Sequence, residues 1–160
     1  MTSTLYSLYQ GQAGRMILTQ EDGQLTGLWF EGEKHSTVVG PSWKRDEPAF
    51  KAVHQQLDAY FAGTLQQFDL PLKFSGTPFQ ERVWKALCEI PYGQTWSYAQ
   101  LAAHIGNPKA VRAVGTANGR NPLSIIVPCH RVIGADGSLV GYGGGLDKKT
   151  FLLQLEKVIF

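Results

Sequence analysis

The stretch from Trp96 to Pro108 leaves the backbone few choices. Ser97 and Gln100 stand three apart, the spacing at which a cap hydroxyl and an amide side chain satisfy each other's backbone N–H groups, and Trp96 and Leu101 take the flanking staple positions. A helix therefore starts after Ser97 and is expected to end near Ile105, where Gly106 can adopt the left-handed conformation that closes a helix. Asn107 then offers a new cap, and Pro108 suits the first position of a second helix. Two helices joined by so short a turn read as a helix-turn-helix.

The second helix, expected over 108–118, has two faces. Ala110, Ala113, Val114 and Ala117 point inward, while Lys109, Arg112 and Thr116 fall together on the other side next to Gly115. An outer face of cations and small residues lets the backbone come close to a nucleic-acid groove, although the same geometry serves proteins that never touch DNA. The net charge of +2 decides nothing, but its distribution does. From Lys109 to Arg131 the charges are Lys109, Arg112, Arg120 and Arg131, with no Asp or Glu among them. Such a stretch suits phosphates, and a solvated positive face is the plainer alternative.

Upstream, the hydrophobic period changes. Residues 4–9, 15–19 and 24–30 are short β-branched and aromatic segments separated by Gly11, Gly14, Asp22-Gly23 and Gly32, the pattern of an antiparallel meander. A helix over 47–62 puts Phe50, Val53, Leu57, Tyr60 and Phe61 on one face, and 68–74 reads as a further strand. Ser75-Gly76-Thr77-Pro78 divides the chain into 1–74 and 75–160. Thr77, Pro78 and Gln80 start a capped helix that runs to about Ile90 and is stopped by Pro91-Tyr92-Gly93. The class is α+β, with a mostly helical second half. No signal peptide or membrane-length apolar run is present, so a cytoplasmic protein is expected, with Cys88 and Cys129 as thiols rather than a bridge.

After Asn121-Pro122, Ser124-Ile125-Ile126-Val127 reads as a short buried strand that ends in Pro128-Cys129-His130-Arg131. Most cysteines are small buried hydrophobes, and Cys88, within a helix and beside Glu89, fits that description. Cys129 is flanked by His130 and Arg131 near a basic helix, conditions that favour a nucleophilic thiolate. Neighbouring residues of a regular element point apart, so His130 can assist Cys129 only across a tight turn or through a water. Downstream, Gly141-Tyr142-Gly143-Gly144-Gly145 allows either flexibility or close approach of a ligand to the backbone. A helix over 148–158 carries Glu156, either a third member of a Cys-His-Glu relay or a surface carboxylate.

Arg112-Ala113-Val114-Gly115, Asn118, Asn121-Pro122, Ile126 to Gly134 through Pro128-Cys129-His130-Arg131, and Gly141-Tyr142-Gly143-Gly144 together resemble the O6-alkylguanine-DNA alkyltransferase (methylated-DNA–protein-cysteine methyltransferase) family. Thr77-Pro78-Phe79-Gln80 and Ile90-Pro91-Tyr92-Gly93 match the family's entry to this domain. The resemblance implies a ribonuclease H-like first half, a winged helix-turn-helix-like second half, and single-turnover transfer of an alkyl group from O6 of guanine, with O4 of thymine a second candidate, to Cys129. It further implies that His130 activates Cys129 through a water held by Glu156, and that Asn121 ties the recognition helix to the active-site segment. Tyr98 would assist the guanine leaving group, and Arg112 would fill the gap left by a flipped nucleotide. Lys109, Ala113, Gly115, Thr116 and Arg120 would join it at the minor groove of duplex DNA. Tyr98, Val127, Val140, Gly141, Tyr142 and Gly143 would line the pocket.

The implied chemistry suits these residue types. Displacement at saturated carbon needs a soft nucleophile, and a thioether product offers water no carbonyl to attack, so each molecule acts once. Larger eukaryotic relatives carry an N-terminal zinc; both cysteines here lie in the second half, so neither metal nor cofactor is expected. The protein is expected to be a monomer able to cluster on DNA. Two other classes remain: an alkylated-base sensor that recruits repair factors, and a Cys-His-Glu hydrolase with a scaffolding helix-turn-helix.

Overall fold

Alternation in the first thirty residues does build strands. In the computed structural model, which describes residues 3–32, 39–138, 142 and 145–158, β1 (Leu5–Gly11), β2 (Gly14–Glu21) and β3 (Gln24–Phe30) form an antiparallel meander. Asp22 (φ 52°) and Gly23 (φ 77°) are both left-handed, which matches the two-residue turn to the twist of β2 and β3. A short β4 (Lys44–Arg45) adds to β1 in parallel, giving the order β3-β2-β1-β4. Two exposed charged residues carry no strand signal, so β4 was not legible in the sequence.

A 3-10 turn, Glu47–Phe50, leads into α1 (Lys51–Phe61). The expected apolar face is buried: Phe50, Val53, Leu57, Tyr60 and Phe61 all face the core. Residues 68–74 do not form the expected strand. Only Leu72 bridges Leu25, in parallel, with Leu25 N–H donating to Pro71 O and Lys73 N–H donating to Leu25 O. Pro71 has no N–H to extend a ladder.

In the second half both capping boxes are complete, Thr77 with Gln80 at the start of α2 (Pro78–Leu87) and Ser97 with Gln100 at the start of α3 (Tyr98–His104). Gly106 turns the chain at φ 80°. The next helix, α4 (Val111–Gly119), begins later than the sequence predicts. Ala110 N–H bonds back to Asn107 O, so Pro108 and Lys109 are spent on a turn and the cap is Ala110, without a side-chain bond. Ala113 is also exposed rather than inward-facing, and Asn118 joins Val114 and Ala117 on the buried side. The indole of Trp84 clamps α2 to α4 through a buried bond to Ala117 O.

Residues 124–127 are not a strand either. Asn121, with Ile125 held at φ 72°, folds them into tight turns, and only Leu123 bridges Leu28 of β3. β5 (Trp96–Ser97) pairs in parallel with β6 (Val132–Ile133), tying the start of the helix-turn-helix to the segment after Cys129. α5 (Leu146–Leu155) starts earlier than expected and stops just before Glu156, which is its cap residue. One continuous hydrophobic core runs from Tyr9 and Met16 through Trp84 and Val127 to Leu152, joining both halves. Among the described residues no helix is long and apolar enough to cross a membrane.

Candidate active site and nucleic-acid interface

Cys129 opens a second 3-10 turn, Cys129–Arg131, and is 5% exposed. The turn is forced from the front by the 121–127 loop. Asn121 Nδ2 donates to Val127 O at 2.8 Å and to Leu123 O at 3.4 Å, and its Oδ1 accepts from Leu123 N–H at 3.0 Å. Cys129 N–H donates to Val127 O at 2.8 Å, which bends the chain sharply at Pro128. A β-branched residue at positive φ is strained by about 1–2 kcal/mol. Ile125 bears that strain inside a loop that is bonded on both sides to β3, by Leu28 N–H to Pro122 O and Ser124 N–H to Leu28 O.

Behind Cys129 lies a buried ionic cluster. His130 Nε2 meets Glu156 Oε2 at 2.7 Å, and neither side chain is exposed. Arg131 donates from Nε to Glu156 Oε1 at 2.7 Å, from Nη2 to Oε2 at 3.1 Å, and from Nη1 to Ile90 O at 2.7 Å. Tyr60 OH donates to Glu156 Oε2 at 2.5 Å. Burial opposes the charge on Glu156, but the bonds from His130 and Arg131 outweigh it and hold the carboxyl down at about 2. Burial pushes the His130 imidazolium down, more than the Glu156 contact raises it. The pair at neutral pH is therefore a carboxylate and a neutral imidazole whose Nε2 carries the proton. His130 Nδ1 meets no protein partner among the described residues, which makes it the basic nitrogen. The Glu156 contact to His130 is direct, with no water between them.

Tyr98, first residue of α3, joins this site to α4. Its ring lies 3.7 Å from where a Cβ on Gly115 would stand, and it hydrogen-bonds Asn118. Burial first, and then a thiolate at Cys129 once it forms, push the phenol up, so Tyr98 stays protonated. Asn118 Nδ2 also reaches Cys129 O at 3.5 Å. Lys149 of α5 is buried, donates to Val132 O at 2.5 Å, and is pulled down to about 8 by burial, with the Cys129 charge opposing that fall.

On the outer side of α4, Lys109, Arg112, Ala113, Thr116 and Arg120 are exposed. All but Arg120 line a groove of about 660 Å³ whose far wall is Thr77, Phe79 and Gln80 at the start of α2. Arg131 leaves the expected phosphate-facing set: it is 7% exposed and committed to Glu156 and Ile90. Val127 is wholly buried, and Tyr142 packs edge-on against Phe30 at 6.4 Å. The expected pocket residues Val140, Gly141 and Gly143 lie outside the described residues. Cys88 caps α2 rather than sitting within it, and it is exposed rather than the buried hydrophobe expected, its thiol turned back to Trp84 O at 3.6 Å.

Sequence reasoning gave no role to Tyr60, Lys149 or the α2 wall of the groove, and named Arg131 and Asn118 without their partners Glu156 and Cys129. A tyrosine on a buried helix face was the one available signal, since its hydroxyl needs a partner.

Comparison with known proteins agrees with this arrangement. Residues 78–158 match the family model for the 6-O-methylguanine DNA methyltransferase DNA binding domain, and residues 4–74 match that for its ribonuclease-like domain. The chain is 51% identical to the methylated-DNA–protein-cysteine methyltransferase of Methanosarcina acetivorans, over 94% of this chain and 97% of that protein. Its counterpart in Haemophilus influenzae is 47% identical over 99% and 89%. The crystal structure of Mycobacterium tuberculosis OGT in complex with DNA superposes with a TM-score of 0.90 at 50% identity, covering 96% of this chain and 92% of that one. With family models spanning both halves and relatives matched along nearly their whole length, the chain belongs to the 6-O-methylguanine DNA methyltransferase family.

Proposed function

We propose that this protein repairs DNA by moving a methyl or larger alkyl group from O6 of guanine directly and irreversibly onto Cys129. The observation that carries the reading is the buried His130–Glu156 pair directly after Cys129, in a domain whose α4 exposes a basic face. The Cys129 proton passes to His130 Nδ1 through a bridging water, with Glu156 holding Nε2 and stabilising the imidazolium that forms. The thiolate sulfur then attacks the alkyl carbon, the C–O bond breaks, and its electron pair returns to the guanine. Protonated Tyr98 stabilises the charge that develops there. The guanine then takes up one proton, equal in number to the one Cys129 gave to His130, so the products are S-alkylcysteine and unmodified guanine and the protein is consumed.

Residues 1–74 form the supporting domain and 75–160 the domain that binds DNA. Arg112 enters the duplex where the damaged nucleotide is flipped out, which offsets part of a cost of a few kcal/mol. Lys109, Ala113, Gly115, Thr116 and Arg120 lie along the minor groove, joined by the α2 wall of the groove. Asn121 holds the loop that presents Cys129, and Tyr142 stands beside the alkyl group. The protein acts as a monomer that can cluster along DNA.

The test mixes equimolar protein with a duplex containing O6-methylguanine and measures peptide masses. One methyl on the peptide carrying Cys129, with repaired guanine in equal amount, is expected. Binding without a mass shift would instead indicate a sensor, and transfer that survives Cys129→Ala would overturn the assignment.

A further inference from the structure

Glu156 is shared between the two halves of the chain. It follows the last turn of α5, yet the shortest bond to its Oε2 comes from Tyr60 of α1 at 2.5 Å, and His130 Nε2 meets the same oxygen at 2.7 Å. Arg131 takes the other oxygen at 2.7 Å and reaches Oε2 only at 3.1 Å. A carboxylate oxygen accepts two good hydrogen bonds, and here they come from Tyr60 and His130. Tyr60 is wholly buried, its ring packed among Phe61, Phe68 and Tyr92, and its hydroxyl reaches Glu156 from α1.

We propose that Tyr60 is a positioning residue for alkyl transfer, its hydroxyl fixing the Glu156 carboxylate so that His130 is aligned and its basicity held down. The inference rests on His130 being the proton acceptor. A donor on Oε2 withdraws charge that would otherwise stabilise the imidazolium, so losing it makes His130 more basic. The other titratable groups that bear on His130 and Glu156 are Arg131 and Cys129 in their own turn, Lys149 from α5, and Tyr92 from the turn after α2. Of these only Arg131 also donates to Glu156 among the described residues, and it remains in place in a Tyr60 variant. On this view the first half of the chain contributes a group to the relay and is more than support.

The experiment is the rate constant for transfer to an O6-methylguanine duplex as a function of pH. Tyr60→Phe keeps the ring and removes the donor. Its acid limb should move up by about half a pH unit, a roughly threefold slower reaction on the limb, and should converge with the wild type on the plateau. 3-Fluorotyrosine at position 60, a stronger donor of the same shape, should move the limb down. Phe68→Leu disturbs the same aromatic cluster without touching the hydroxyl and should leave the limb where it is. Equal slowing at every pH in Tyr60→Phe, no response to fluorination, or an equal shift in Phe68→Leu would overturn the positioning role. If His130→Gln kept the wild-type acid limb, the proton-acceptor reading itself would fail, a result distinct from all of these.

Discussion

Glu156 carries one negative charge and receives three side chains, so most of the buried electrostatics of the molecule meet at one residue. Replacing it with Gln leaves the Arg131 guanidinium buried without its counter-charge, which typically costs 3–5 kcal/mol. Urea unfolding of Glu156→Gln should show about that loss. The pH dependence has a definite sign. With its folded value near 2 against an ordinary 4.5, Glu156 stabilises the fold fully above pH 4.5 and loses that contribution as pH falls toward 2. His130, also depressed, begins to cost stability once acid reaches its ordinary value of 6.5. Wild type should therefore lose stability progressively on going from pH 5 to pH 2, as read from denaturation midpoints. The motif around Cys129 was legible because its residues are adjacent in the chain. Tyr60 was not, because ninety-six positions separate it from Glu156.

At the level of elements, α4 carries two separable properties. Its exposed face holds Arg112 and Thr116, with Lys109 in the turn before it, and its inner side holds Gly115 against Tyr98. A Cβ at 115 would make an ordinary contact at 3.7 Å, so Gly115→Ala should fit and raise stability by about 0.5–1 kcal/mol through lower backbone freedom in the unfolded chain. A lower melting temperature in that variant would show that the ring of Tyr98 is packed more tightly than its position indicates. Arg112→Ala should slow repair in duplex DNA more than in single strands, because only a duplex leaves a gap to fill; equal slowing in both would count against that role. Removing Lys109 or Arg120 should reduce the salt dependence of DNA binding by about one ion each. The helix-turn-helix was legible from its caps, which are local. The late start of α4 and the loss of a strand at 124–127 were not, since both follow from backbone bonds that compete with a local signal.

For the whole molecule, the two matched domains share a single core, and the loop that presents Cys129 is bonded to β3 of the first half. Unfolding should therefore be one cooperative transition, with tryptophan fluorescence and near-ultraviolet dichroism coinciding across a denaturant series. Two separated transitions would show that the halves are energetically independent. The same sharing explains how a rigid first half can steady a loop in which Ile125 holds a strained φ of 72°.

The sequence by itself determined the strands of the meander, the capped helices and the Pro-Cys-His-Arg turn, because hydrophobic period, capping and motif adjacency act over a few residues. Only the tertiary structure decided which charges face solvent and which are buried. Arg131 shares a basic stretch with Lys109, Arg112 and Arg120, yet it alone turns inward. Its direction depends on Glu156, Ile90 and Tyr60 arriving from distant parts of the chain, and no local rule encodes a counter-charge supplied from across the core.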